Sequence, residues 1–139
     1  MANTAPIYTR DPDVQWFSAA TAANTTTDLT SGTIYLCFTA DATYGGYVQR
    51  IRFRTLGTNT NQTVVRIWIN NGGSTSTGSN NVLWDETTLP STTVSQTSAQ
   101  ANYELPLNFA LPAGYRIYVT LGTAPTSAGW SVTVIGGKY

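Results

Sequence analysis

Between Tyr47 and Leu56 the chain alternates without a break, Arg50, Arg52 and Arg54 against Ile51 and Phe53. Only a strand sends successive side chains to opposite faces, so one face of this segment carries apolar groups and the other three guanidiniums. A helix would mix them. The same period recurs in Thr33 to Thr39, where Ile34, Leu36 and Phe38 alternate with Thr33, Tyr35 and Cys37, and in Gln62 to Asn70, Tyr103 to Phe109, Tyr115 to Leu121 and Trp130 to Ile135. Two weaker strands, Val14 to Ala19 and Val82 to Leu89, complete a set of about eight, and no window carries an amphipathic helical repeat.

The predicted fold class is all-β. With 139 residues, 41% of them hydrophobic, the chain has apolar area for one core and too little for two. Eight strands with several long connections favour a two-sheet antiparallel sandwich, jelly-roll-like, over an up-and-down barrel. Parity assigns its core to Ile34, Leu36, Phe38, Ile51, Phe53, Val65, Ile67, Ile69, Leu105, Leu107, Phe109, Ile117, Val119, Leu121, Trp130, Val132 and Val134. Residues 1–13 are polar and lack a burial pattern. They are expected to form an N-terminal arm, ordered only in an assembly, ahead of a single domain over 14–139. Tyr47 to Leu56 and Gln62 to Asn70, separated by Gly57 to Asn61, read as a hairpin. Asn70 to Asn81, all Gly, Ser, Thr and Asn, reads as an exposed, mobile loop.

Several function classes are excluded or made remote by residue types. The chain has no His, which rules out Ser-His-Asp and Cys-His machinery. Seven carboxylates remain, Asp11, Asp13, Asp28, Asp41, Asp85, Glu86 and Glu104, and the adjacent pair Asp85 and Glu86 points to opposite sides of a strand. No catalytic residue is assigned, and the chain is read as no enzyme. Asp11 with Asp13, or Asp85 with Glu86, is weighed as a calcium site and set aside for want of ligand spacing, so no metal and no cofactor are expected. Cys37, alone and mid-strand, reads as a buried inert thiol. Seven basic residues cancel seven acidic ones, which removes the footprint of a nucleic-acid or membrane-surface binder. No apolar run is long enough to span a bilayer as a helix, and the N-terminus does not read as a signal peptide. Only 10% of residues are charged, so Thr, Ser, Asn, Gln and Gly must cover the surface. A polar, charge-poor β surface without an export signal suits a particle component made in a host cytoplasm and released by lysis.

One binding feature stands out. Arg50, Arg52 and Arg54 share a face, and Arg66 and Trp68, of opposite parity to Val65 and Ile67, join them on the same outer face if the two strands form the hairpin. Such a ladder is either a docking surface for acidic or aromatic groups of another chain, or a solvated face held by local ion pairs. Trp16, Trp84, Tyr118, Tyr8, Tyr44 and Tyr139 are aromatics that the core does not need; they suit stacking on sugars or filling pockets on a neighbour.

The segment Leu105-Pro-Leu-Asn-Phe-Ala-Leu-Pro-Ala-Gly-Tyr-Arg-Ile-Tyr-Val, with the ending Trp130-Ser-Val-Thr-Val-Ile-Gly-Gly-Lys-Tyr139, resembles small structural proteins of tailed phages and prophages over roughly the last 40 residues. Pro112-Ala113-Gly114 by itself is a turn that delivers a strand into a sheet. The resemblance implies a virion protein, first a capsid decoration (cement) protein that binds the major capsid protein or another virion protein, as a homo-oligomer with a trimer favoured. The alternative is a carbohydrate-binding or host-adsorption module of a tail or head fibre.

Overall fold

A computed structural model describes residues 8–59 and 61–139. Eight strands run through it: β1 (Asp11–Ala20), β2 (Tyr35–Thr39), β3 (Gly46–Thr55), β4 (Thr63–Asn70), β5 (Asn81–Leu89), β6 (Tyr103–Leu111), β7 (Arg116–Leu121) and β8 (Trp130–Lys138), with one 3-10 turn at Gly78–Asn80. They form two four-stranded antiparallel sheets, ordered β1-β8-β3-β6 and β2-β7-β4-β5. The chain changes sheet at every step except β4 to β5. That alternation is the jelly roll.

The expected hairpin between β3 and β4 does not exist. The two strands lie in different sheets, so the chain arches from one to the other between Thr55 and Thr63. Ile51 and Phe53 meet Val65 and Ile67 across the core instead of beside them, all fully buried. Alternation alone cannot separate these cases, because inward-facing residues look the same whether the next strand is paired or opposed. The arch is pinned from within by Asn59, fully buried, which donates from Nδ2 to Thr55 Oγ1 at 3.0 Å and accepts from the Ser127 amide at 3.1 Å. Its backbone bridges Thr92 in both directions, at 3.0 and 2.8 Å.

The molecule's hairpin is the β4–β5 pair, and its loop is the stretch expected to be mobile. Here the asparagines replace a core. Asn70, fully buried, donates to Asn81 Oδ1 at 2.7 Å and accepts from the Gly72 amide at 2.8 Å. Asn71 donates to Asn80 Oδ1 at 3.1 Å, and Asn80 donates to the Ser74 carbonyl at 2.9 Å. Amide side chains thus satisfy backbone groups that the loop would otherwise turn to water.

In β2 the expected parity is inverted. Tyr35 and Cys37 are buried and Leu36 is exposed, while a register shift between Leu36 and Phe38 brings Phe38 back into the core. The Tyr35 hydroxyl accepts from the Thr21 and Ala22 amides at 3.0 and 2.7 Å, which is the partner a buried phenol needs. Ile69, Leu105 and Phe109 pack only partly buried against the core. β1 begins at Asp11, three residues earlier than read from sequence, because Asp11, Pro12 and Asp13 pair with Lys138, Gly137 and Gly136. Residues 1–7 of the expected arm lie outside the described residues.

Candidate interaction faces

Cross-strand rows organise the outer face of the β1-β8-β3-β6 sheet. Trp16, Thr133, Arg52 and Glu104 form one row across all four strands, and Val14, Ile135, Arg50 and Pro106 the next. The arginines are on the solvent side because Val48, Ile51 and Phe53 take the core side of β3. Glu104 sits between two of them: Arg52 Nε contacts its Oε2, and Arg50 Nη1 lies 3.5 Å from its Oε1. Arg54 reaches past β6 to Asn102 Oδ1 at 2.6 Å and to the carbonyls of Gln100 and Ala101 at 3.3 and 3.4 Å. Part of the stripe is therefore held by local ion pairing. Since these side chains keep substantial solvent access, each such pair contributes on the order of 0.2–1 kcal/mol.

Arg66 and Trp68 do not join this stripe. Both belong to β4, on the outer face of the other sheet, so the five candidate residues split between opposite sides of the sandwich. Arg66 Nε pairs with Glu86 Oε2 at 3.4 Å. Trp68 is buried, only 2% exposed, under a small second cluster made with Leu29 and Tyr118 and flanked by Ile34. Its indole N–H donates to Thr120 Oγ1 at 3.0 Å. The long connection from β1 to β2 supplies Leu29 as the lid, held in place by Asn24, whose Nδ2 donates to the Ser31 and Thr33 carbonyls at 2.9 and 3.0 Å. Trp68 is thus a packing residue, and Tyr118 is buried with it. Parity placed Trp68 outside correctly, but the covering loop gives no periodic signal.

Two of the aromatics that the sequence offered for stacking or for a neighbour's pocket gain a setting that alternation did not show. Trp16 stands 67% exposed on edge strand β1, at one end of the row that holds Arg52 and Glu104. Val82, Leu83 and Trp84 form an exposed apolar run on edge strand β5, with the Trp84 ring 4.7 Å from Phe109. Three successive apolar residues in a strand that alternation would have half-buried were the available signal.

Most carboxylates among the described residues have structural partners. Glu104 and Glu86 are taken up by arginines, Asp11 lies 3.0 Å from Arg10, and Asp13 accepts from Gln15 at 3.0 Å. The Asp28 carboxyl is held below its ordinary value by the backbone and hydroxyl hydrogen bonds of Thr30, and the Asp41 carboxyl by the amides of Tyr44 and Thr43. Burial pushes the Cys37 thiol well up, which leaves it protonated. Among the described residues no three His, Cys, Asp or Glu side chains gather to hold a metal ion. A cleft between β5 and β6, lined by Phe53, Thr87, Leu89, Tyr103 and Leu105, measures about 150 Å³, and a hollow on the arginine face, lined by Gln49, Arg50, Glu104, Pro106 and Asn108, about 350 Å³.

No family model matches the sequence, and no curated protein does. A solved structure titled "Structure of infectious bursal disease virus Gx strain" aligns over 93% of this chain with a TM-score of 0.36 and 12% identity. This chain covers 34% of the length of that one. A TM-score this low establishes no kinship between them.

Proposed function

We propose that this chain is a non-enzymatic structural protein of a virus particle and, more specifically, a capsid decoration (cement) protein of a tailed phage that works as an oligomer. The observation that carries the reading is the outer face of the β1-β8-β3-β6 sheet, which presents Trp16 and Val14, 67% and 47% exposed, beside three arginines, the residue types that anchor protein contacts. The low charge of the surface agrees with packing against neighbours, because each charge buried at an interface needs its own partner. The absence of His and the occupation of most carboxylates by structural partners argue against hydrolysis.

A second reading, a carbohydrate-binding module for host adsorption, rests on the same row. Trp16 is a flat exposed platform, and Thr133, Arg52 and Glu104 beside it are hydrogen-bonding groups of the kind that fix sugars. Mass spectrometry of gradient-purified particles separates the two. Copies by the hundred per particle, lost together with particle binding in Trp16→Ala, are the expected result. A handful of copies moves the chain to a tail or fibre, and its absence from particles together with glycan binding that needs Trp16 overturns the decoration role.

A further inference from the structure

Two patches each set an exposed tryptophan beside a charge that no described residue neutralises, and the two charges are opposite. The first is the Trp16 face. Three guanidiniums there meet one carboxylate, Glu104, and Arg54 has only amide and carbonyl oxygens as partners, so positive charge is in excess. The second is the free edge of β5, where Val82, Leu83 and Trp84 are 55%, 41% and 48% exposed and run directly into Asp85. Glu86 is matched by Arg66 at 3.4 Å, whereas the Asp85 carboxylate accepts only the Glu86 amide at 2.8 Å and has no cation within ion-pair distance among the described residues.

We propose that these patches are the two halves of one contact between copies of this chain, the β5 edge of one molecule seated on the Trp16–Arg54 face of the next. The inference rests on the reading above that the chain assembles with itself, and it names the interface. Charge decides the pairing. Face against face would bring together two surfaces of excess positive charge, and edge against edge two unmatched acids, so each patch disfavours its own copy and favours the other. The patches also lie on different sheets: the face looks outward from β1-β8-β3-β6, and the edge bounds β2-β7-β4-β5. A contact between unlike patches is heterologous, and it closes into a ring if the rotation allows or grows into a filament if it does not.

Side chains, not a shared ladder, make the contact. Trp84 is the extra residue where the β4–β5 register shifts, between Ile67 opposite Asp85 and Trp68 opposite Leu83. A bulge followed by two carboxylates is how an edge is made unfit for strand addition. What it offers a neighbour is an apolar run with one unmatched acid, and the Trp16 face offers an apolar platform with an unmatched base. A tryptophan and a desolvated opposite-charge pair are the groups that dominate such contacts.

The test is sedimentation velocity of the full chain across a concentration series, for the wild type, Asp85→Arg and Trp16→Arg. The wild type is expected to form an oligomer that weakens as salt is raised. Each variant alone is expected to be monomeric at concentrations where the wild type assembles, with association weakened at least about tenfold and, below the concentration at which the wild type assembles, an unchanged thermal midpoint, since both positions are exposed. An equimolar mixture of the variants is then expected to give a one-to-one dimer and nothing larger, because each supplies the half that the other lacks. A monomeric wild type, an oligomer that survives either substitution, or a mixture that stays monomeric overturns the proposal. A wild-type monomer that nonetheless binds particles in many copies defeats this contact and leaves the decoration role standing. Variants that obey the complementation, in a chain found on no particle, support the contact and defeat the role.

Discussion

Replacing Trp68 by Ala separates the two readings of that residue, docking anchor or packing residue, by a wide margin. The side chain is 2% exposed, covered by Leu29 and Tyr118, and hydrogen-bonded through its indole to Thr120, itself fully buried. Truncating a buried tryptophan costs about 3–5 kcal/mol in lost burial and residual cavity. Unfolding entropy of about 2.1 cal/mol/K per residue gives about 0.29 kcal/mol/K for 139 residues. Each kcal/mol then moves the midpoint by about 3.4 °C, and the expected fall is about 10–17 °C. Trp68→Phe keeps most of the apolar bulk but strands the Thr120 hydroxyl, so about 1–3 kcal/mol is lost, or about 3–10 °C. Trp16→Ala, at an exposed position, stays within about 0.5 kcal/mol and shifts the midpoint by less than ~2 °C. Circular dichroism melts of the three variants, below the concentration at which the chain self-associates, decide the matter. Equal losses for Trp68→Ala and Trp16→Ala, or a fall of less than ~3 °C for Trp68→Ala, refute the packing assigned to the second cluster.

Further outcomes follow from local geometry. Gly45 and Gly114 share a left-handed φ, +77° and +75°, but a Cβ at Gly45 would lie 2.4 Å from the Leu111 carbonyl oxygen while one at Gly114 meets nothing within 4 Å. Gly114→Ala is therefore expected to cost about 1–2 kcal/mol for the dihedral alone and Gly45→Ala clearly more, and equal costs in urea titrations contradict the close approach. The Cys37 thiol, buried and held protonated, is expected to react with a disulfide reagent only as fast as the chain unfolds; immediate labelling of the native protein contradicts its placement. For Asp28 and Asp41 the folded carboxyl lies below its ordinary value of 3.8. Their contribution is fully present above 3.8 and is lost as pH falls through the lower folded value. Asp41→Asn, which keeps an acceptor but no titrating group, should flatten that acid loss, and parallel curves for variant and wild type tell against it. Arg52→Ala with Arg54→Ala should change stability only slightly, by about 0–1 kcal/mol for each surface charge, while weakening association; unaltered association at every ionic strength returns the stripe to a solvated face.

The alternation in β3, β4, β6, β7 and β8 determined from sequence alone that the chain is a sandwich, which side of each of those strands faces the core, and that three arginines share one solvent face. Those properties are local, since side-chain direction in a strand follows from the backbone period. What lay beyond sequence was pairing. Arg52 found Glu104 because β6 borders β3, and Arg66 parted from Arg52 because β4 crossed to the other sheet; both follow from long-range order, on which residue parity is silent. Trp68 illustrates the limit most sharply. Its outward direction was legible in Val65, Ile67 and their neighbours, but its burial came from Leu29, which lies in the loop between β1 and β2. In β2 the period itself failed, because a register shift lets both Cys37 and Phe38 turn inward. Composition settled which chemistry the chain lacks, since no arrangement of residues can supply a missing imidazole. Whether the exposed Trp16 and Trp84 come to face each other across copies depends on where tertiary structure set Arg54 and Asp85, because strands distant in sequence become neighbours only when two sheets close over one core.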